Sequence, residues 1–266
     1  ALIMFNILKR FDLSGLDPNG AKRLHLEAEA ARLAYLARDK FVADPTKADV
    51  PIDMLLSEEF ADQLCSHIDV GKAGDPTGAY ALERHRDTVY LSVVDKDGNA
   101  VSFINSLYQG FGSGIACPNT GVLFQNRGSG FVIDPDHLNC VAPGKRPLHT
   151  IIPGMVTNGQ QATICYGVMG GGYQPVGHAH VLTNIWDFGM DVQEAIDSPR
   201  AFYYDGVLEV EEGIPDAVRA ELTDMGYVLK ESSMPLGGGQ MIMIDPVSGV
   251  LSAGSEPRKD GCALAY

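Results

Sequence analysis

The chain has 266 residues, 45% of them hydrophobic, 20% charged and 8% aromatic, enough to bury a sizeable core in one large domain or two small ones. Lys and Arg total 20 against 34 Asp and Glu, a formal net charge of −14 that repels phosphate backbones and anionic lipid and disfavours a general nucleic-acid or membrane-surface role. No apolar run approaches the roughly 18 residues of a membrane span, and Cys65, Cys117, Cys140, Cys165 and Cys262, dispersed without a CxxC pair, read as free buried thiols.

Leu2, Ile3, Met4, Phe5, Ile7 and Leu8 form an apolar start without a basic region or a small-residue cleavage site. A signal peptide is a poor reading. The stretch reads as the middle of a buried helix, cut from something longer, so the compartment stays open between cytoplasm and periplasm, with the cytoplasm preferred. Asn19 to Val42 places Leu24, Ala28, Ala31, Ala34 and Tyr35 at helical spacing with charges opposite, and Asp44-Pro45 ends it. Ser57 to Ile68 predicts a second helix, with Leu64 and Ile68 inward. Residues 69–86 hold glycines and a proline without sustained periodicity, a loop or linker.

From Thr88 the period changes to 2. Thr88–Val94, a turn at Asp95-Lys-Asp-Gly-Asn99, and Ala100–Leu107 predict a hairpin. Further strands are expected near Val122–Gln125, Ile151–Thr157 and Ala162–Val168. Val176–Phe188 reads as a helix, Asp191–Ile196 as a shorter one, and Pro215–Met225 as an amphipathic one. Strands near Tyr227–Glu231, Gln240–Asp245 and Leu251–Ala253 follow. Helices and antiparallel pairs come in blocks, so the class is α+β rather than a doubly wound sheet. There is no internal repeat, low-complexity tract or dinucleotide fingerprint.

A threonine that opens a strand is usually structural, but the context of Thr88 is specific. Thr88-Val-Tyr-Leu-Ser-Val-Val-Asp-Lys-Asp-Gly-Asn-Ala-Val101 resembles the start of the small subunit of gamma-glutamyltranspeptidases. Similar segments follow in order: Phe111-Gly-Ser-Gly-Ile115, Gly121-Val-Leu-Phe-Gln-Asn126, Ala142-Pro-Gly-Lys-Arg-Pro-Leu148, Gly170-Gly171, Asp197-Ser-Pro-Arg200, Gly254-Ser-Glu-Pro-Arg258 and Ala265-Tyr266. Ala28–Asp39 and Asp44-Pro45 are similar to the end of that family's large subunit.

The resemblance implies an N-terminal-nucleophile hydrolase fold, an αββα four-layer sandwich. Residues 1–87 would be the C-terminal part of the large subunit and 88–266 the small catalytic subunit, together one composite domain. The upstream part of the large subunit, with its carboxylate-binding arginine, would lie before residue 1 and leave one edge unfilled. Self-cleavage is expected between Asp87 and Thr88. A threonine hydroxyl needs an adjacent base, and the freed α-amino group of Thr88, with an ordinary pKa of about 7.7–8.0, supplies one that the intact amide cannot. The uncut chain would be a zymogen. Ser106 aligns with a hydroxyl that bonds the nucleophile, and Gly170 and Gly171 with the N–H groups that stabilise the oxyanion.

Departures from the family pattern concern the substrate. Tyr108 stands for an asparagine, Arg127 for a lid-loop glutamine, Gly130 for the aspartate that pairs with an α-ammonium, and His149 and Thr150 for two carboxylate-binding serines. Losing the aspartate and gaining Arg127 makes a zwitterionic γ-glutamyl donor a poorer fit. Hydrolysis or transfer of γ-glutamyl (glutathione-like) amides is the activity the family implies. The alternatives are a non-glutamyl amidohydrolase, oxamate- or cephalosporin/glutaryl-acylase-like, and a processing-defective binding or scaffold relative. The expected partners are a small amide substrate and the rest of the large subunit, in a heterodimer after cleavage. No cofactor and no metal is expected: His178 and His180, two apart on a helix, face different ways. His149 could contact substrate or act as a general acid. His85 reads as exposed linker, Gly237-Gly238-Gly239 as a turn beside the site, and Trp186 as core.

Overall fold

The structure is a computed structural model that describes residues 1–75 and 88–266. In chain order the elements are α1 (Leu2–Leu8), α2 (Ala21–Phe41), α3 (Ile52–Leu55), α4 (Glu58–Cys65), β1 (Thr88–Val94), β2 (Ala100–Ser106), β3 (Gly154–Asn158) and β4 (Gln161–Met169). Then come α5 (Gln174–Trp186), α6 (Val192–Asp197), β5 (Ala201–Tyr204), β6 (Val207–Val210), α7 (Asp216–Asp224), β7 (Val228–Glu231), β8 (Gly238–Ile244) and β9 (Leu251–Ser255).

Strict alternation makes β1 and β2 an antiparallel hairpin that pairs Thr88 with Ser106 at its open end and Val94 with Ala100 beside the turn. Asp95 closes that turn by accepting from the N–H groups of Asp97 and Asn99. The hairpin stacks on an antiparallel sheet of order β3-β4-β8-β9. Ser92 and Ser102 reach across to the carbonyls of Cys165 and Tyr166, and the ring of Tyr90 lies against the bare backbone of Gly167. Helices α5 and α6 cover the other face of that sheet, and α1 and α2 pack on α5. This gives helices, sheet and hairpin in successive layers. The outward side chains of the hairpin, Val89, Leu91, Val93, Val101 and Phe103, stay exposed.

A third sheet, β5-β6-β7, joins an antiparallel pair to a parallel strand and packs with α2 and α7 over a second core around Leu24, Leu208 and Leu222. β5 and β6 are not anticipated by the period-2 pattern, although Asp205-Gly206 between them has positive φ at both positions, the geometry of a tight hairpin turn. The strand expected near Val122–Gln125 does not form. That region makes one isolated bridge, Ala116 with Leu123, because Gly112, Gly114 and Gly121 take positive φ and interrupt any ladder.

α2 differs from the amphipathic expectation. It is enclosed on nearly every side, and Arg23, His25, Glu27, Glu29 and Asp39 are buried along with its apolar residues. Burial of charge is tolerated where partners are supplied. Arg23 pairs with Glu27 and with His180 on α5, Glu29 pairs with Arg32, and His25 bonds the Tyr227 hydroxyl and the Asp69 carbonyl. Trp186 is not core: it ends α5 at the rim, 55% exposed, against Phe5. Only Cys165 among the thiols is buried, while Cys262 is exposed and the others lie between.

His178 and His180 point to different neighbours, and both are buried. His178 Nε2 accepts from the Val168 N–H at 3.2 Å, which leaves the neutral ring's proton on Nδ1. Burial lowers its pKa to about 3 and that of His180 to about 4. The unfolded chain takes up these protons near pH 6.5 and the fold refuses them, so stability is full above that value and is lost as pH falls towards 4. Each ring should remove about 2 kcal/mol between pH 7 and pH 5. Urea unfolding at the two pH values checks this. His178→Gln should shrink the difference, and an unchanged wild-type stability would show that the rings are not held neutral.

Candidate active site

The open end of the hairpin presents Thr88, which is buried. Its Oγ1 donates to Ser106 Oγ at 3.0 Å, and the same Ser106 oxygen accepts from the Tyr108 N–H at 3.0 Å. One serine thus fixes the threonine rotamer and the chain leaving β2. Gly170 follows β4, and Gly171 opens a 3-10 turn, Gly171–Tyr173, that runs into α5. Gly170 has φ +132° and Gly171 +58°, and a Cβ on Gly170 would sit 2.8 Å from the Gly237 Cα. Only glycine meets both demands. The first N–H groups of a helix have no intrahelical acceptor, so this turn offers donors to an anionic oxygen. Tyr35 on α2 donates to the Gly172 carbonyl at 2.5 Å and ties the turn to the helical layer.

Thr88 and Gly170 line one cavity of about 180 Å³, with Tyr173, Phe202, Leu236 and Gly237. Gly171 lines a second, mostly apolar cavity of about 460 Å³ with His149 and Thr150. The two adjacent glycines therefore face one cavity each. Gly237 stands at the site as expected, but Gly238 and Gly239 already belong to β8.

Arg127, Tyr108 and Thr150 form one buried cluster. Arg127 Nη1 donates to Thr150 Oγ1 at 3.0 Å, and its guanidinium lies 4.8 Å from the centre of the Tyr108 ring. Burial lowers the Arg127 pKa from its ordinary value, but a guanidinium stays charged. His149 lies at the exposed edge of the cluster, and burial of its ring, then the Arg127 charge, lower its pKa. Tyr108 takes φ +79°, and its hydroxyl would be 3.3 Å from a Cβ on Gly130. All four residues expected to bind substrate thus gather around Arg127, one hydrogen bond beyond Ser106. Asp87 and His85 lie outside the described residues.

Sequence reasoning missed the supports of the cavity wall. Arg200 and Glu256, both fully buried, pair at 2.7 Å, and Arg258 pairs with Glu211 at 2.5 Å. Glu211 accepts from the Leu236 N–H, Arg200 donates to the Leu236 carbonyl, and Glu256 accepts from the Gly239 N–H. Burial pushes the Glu256 carboxyl up, but Arg200 and Arg258 outweigh it and hold the group below its ordinary pKa. The segments Asp197-Ser-Pro-Arg200 and Gly254-Ser-Glu-Pro-Arg258 were the signal for three of these residues. Glu211 had none.

Among the described residues, no group of three or more His, Cys, Asp or Glu side chains could hold a metal ion, and no helix is long and apolar enough to cross a membrane.

The family model described as gamma-glutamyltranspeptidase matches residues 1–266. The chain belongs to the gamma-glutamyltranspeptidase family. It is 36% identical over 276 residues to the glutathione hydrolase-like YwrD proenzyme of Bacillus subtilis (strain 168), covering 99% of this chain and 51% of that protein. It is 34% identical over 275 residues to the oxamate amidohydrolase proenzyme of Klebsiella pneumoniae, covering 100% and 51%. The crystal structure of cephalosporin acylase from Bacillus halodurans superposes with a TM-score of 0.89 at 39% identity, covering 100% of this chain and 48% of that one. The fold is accordingly that of the N-terminal-nucleophile hydrolases. The chain spans about half the length of the curated relatives it matches.

Gly170→Ala should destabilise this family member by about 1–3 kcal/mol, from backbone strain and from the collision with Gly237. Thermal unfolding measures this, and wild-type stability in the variant would contradict the close approach.

Proposed function

We propose that the complete protein is a self-processing, gamma-glutamyltransferase-like amidase or acyltransferase with Thr88 as nucleophile. The observation that carries this reading is the 3.0 Å bond from Thr88 Oγ1 to Ser106, at the start of a strand, in a cavity walled by Gly170. A cut between Asp87 and Thr88 frees the α-amine. Thr88 Oγ then adds to the amide carbonyl carbon while its proton passes to that amine. The N–H groups of Gly170 and Gly171 take the oxyanion. The C–N bond breaks as the α-ammonium returns its proton to the departing amine, leaving an acyl ester on Thr88. Water or an acceptor amine attacks the ester, restores the hydroxyl and releases an acid or a new amide. Ser106 holds Thr88 in the attacking rotamer throughout. Residues 1–87, as the large-subunit segment, stay bound to 88–266 after the cut, and the ligand is a small amide.

γ-Glutamyl hydrolysis or transfer is one donor assignment. A non-glutamyl amidohydrolase is the second, favoured by one observation: where the resemblance expects an aspartate for an α-ammonium, Gly130 is closed off by the Tyr108 hydroxyl. Relatives named oxamate amidohydrolase and cephalosporin acylase support the same reading.

Intact mass under denaturing conditions tests the nucleophile. Incubated protein should yield a fragment that starts at Thr88 and ends with this chain's Tyr266 or beyond, and Thr88→Ala should stay uncut and inactive. A single uncut mass for the wild type would move the binding or scaffold reading to first place. Ser106→Ala should lower kcat about tenfold or more by freeing the Thr88 rotamer, which p-nitroanilide release measures.

A further inference from the structure

Behind the wall of the Thr88 cavity lie four buried polar atoms that have no hydrogen-bond partner among the described residues: Glu27 Oε1, Tyr173 Oη, His180 Nε2 and Arg200 Nε. None of the four side chains is more than 4% exposed. Glu27 and His180 touch, with Nδ1 of the ring 3.2 Å from Glu27 Oε2. Tyr173, just before α5, and His180 within it stand two helical turns apart, on one face. The Tyr173 ring lies over Gly177 between them, where a Cβ would be 2.8 Å from the ring edge. The same ring packs on Gly237, and Arg200 Nη1 donates to the neighbouring Leu236 carbonyl. Beyond burial itself, the charges of Arg200 and Glu27 bear on the Tyr173 hydroxyl, and that of Arg200 bears on Glu27 and His180.

The chemistry of the four atoms is complementary to one small neutral ligand. Arg23 Nη1 lies 2.6 Å from His180 Nδ1 and can only donate, so Nδ1 accepts and the neutral ring keeps its proton on Nε2. Burial pushes the Glu27 carboxyl up, but Arg23 outweighs it and holds the group below its ordinary pKa, so Oε1 is an acceptor. Arg200 Nε is a donor. Charge is already balanced, since Arg23, Arg200 and Arg258 pair with Glu27, Glu256 and Glu211. An ion would upset that balance at a high cost in desolvation, and a water would not. We propose that the four atoms surround one buried water, which accepts from Arg200 Nε and His180 Nε2 and donates to Glu27 Oε1 and the Tyr173 oxygen. The water joins α2 to α5 and to the segment after α6, across the two sides of residue 88. Because the Tyr173 ring lines the Thr88 cavity, the water also steadies that cavity's wall. The site is independent of which amide is cleaved.

A crystal structure of the complete protein tests the position. A solvent peak should lie about 2.7–3.2 Å from at least three of the four atoms. Side chains that bond one another with no peak between them overturn the site, as does a peak with the anomalous signal of chloride or a metal. Tyr173→Phe keeps the ring and gives a second readout whose sign decides. A hydroxyl bonded to water loses that bond on removal, so the folding equilibrium constant, from urea titration at one protein concentration, should fall about 2- to 10-fold. A buried hydroxyl without a water is a desolvated group with nothing in return, and its removal would leave the constant unchanged or raise it. That result overturns the proposal.

Discussion

The strand that carries Thr88 meets the strand that leads to Gly170 where the ring of Tyr90 lies on the backbone of Gly167, flanked by the bonds of Ser92 and Ser102 to the Cys165 and Tyr166 carbonyls. Any side chain at 167 would occupy the volume of that ring. Tyr90 is two residues from Thr88 and Gly167 is three from Gly170, so an aromatic ring acts as a spacer between Thr88 and the Gly170-Gly171 turn. Its hydroxyl bonds both Ser92 and Ser102, which fixes the ring from both strands of the hairpin. Close packing makes such a spacer stiff, because neither the ring nor a bare backbone has a softer rotamer to adopt. The placement of Thr88 relative to the Gly170 turn thus depends on packing between side chain and bare backbone.

Much of this was legible in the sequence because local patterns dictate it. Alternation from Thr88 and the Asp95–Asn99 turn specified the hairpin, and helical spacing specified α2, α5 and α7. The residues around Arg127 were legible through their places in ordered motifs, and the structure brings Tyr108, Arg127, His149 and Thr150 into one cluster. What failed was information about surroundings. The charges on α2 looked like a solvated face, since a sequence does not say that α5 will bring His180 to meet Arg23 and Glu27. Trp186 looked like core because bulk and apolarity say nothing of its place at the last turn of α5. β5 and β6 are short, and the Asp205-Gly206 turn between them was the overlooked cue. Glu211 contacts Arg258 and Leu236, both far along the chain, so no local pattern could announce it.

The polar interior divides into two kinds. The Arg200–Glu256 and Arg258–Glu211 pairs give each charge a partner of opposite sign, and the backbone around Leu236 adds further hydrogen bonds, although Arg200 Nε has none among the described residues. Such networks favour one arrangement over others and give the cavity a rigid wall. The Arg127 cluster is open, with an unfilled guanidinium arm among neutral neighbours. The wall thus pairs its charges, whereas the Arg127 guanidinium lies among neutral groups, Thr150 and Tyr108.

The larger core draws on both sides of residue 88: Met4, Ile7, Leu26 and Ala30 pack in one cluster with Ile164, Val168, Leu182 and Met241. Asp44, whose side chain is fully buried, accepts from both the backbone and the guanidinium of Arg146 across the same divide. Neither side can complete its own interior. Folding must then come before any cut at Thr88, and after such a cut the two pieces are held only by a shared interior. Unfolding of the cut molecule becomes a dissociation, its midpoint depends on protein concentration, and regain of structure becomes a second-order encounter between fragments. A molecule activated in this way gains its base and gives up easy refolding, so its working life is set by how slowly it opens.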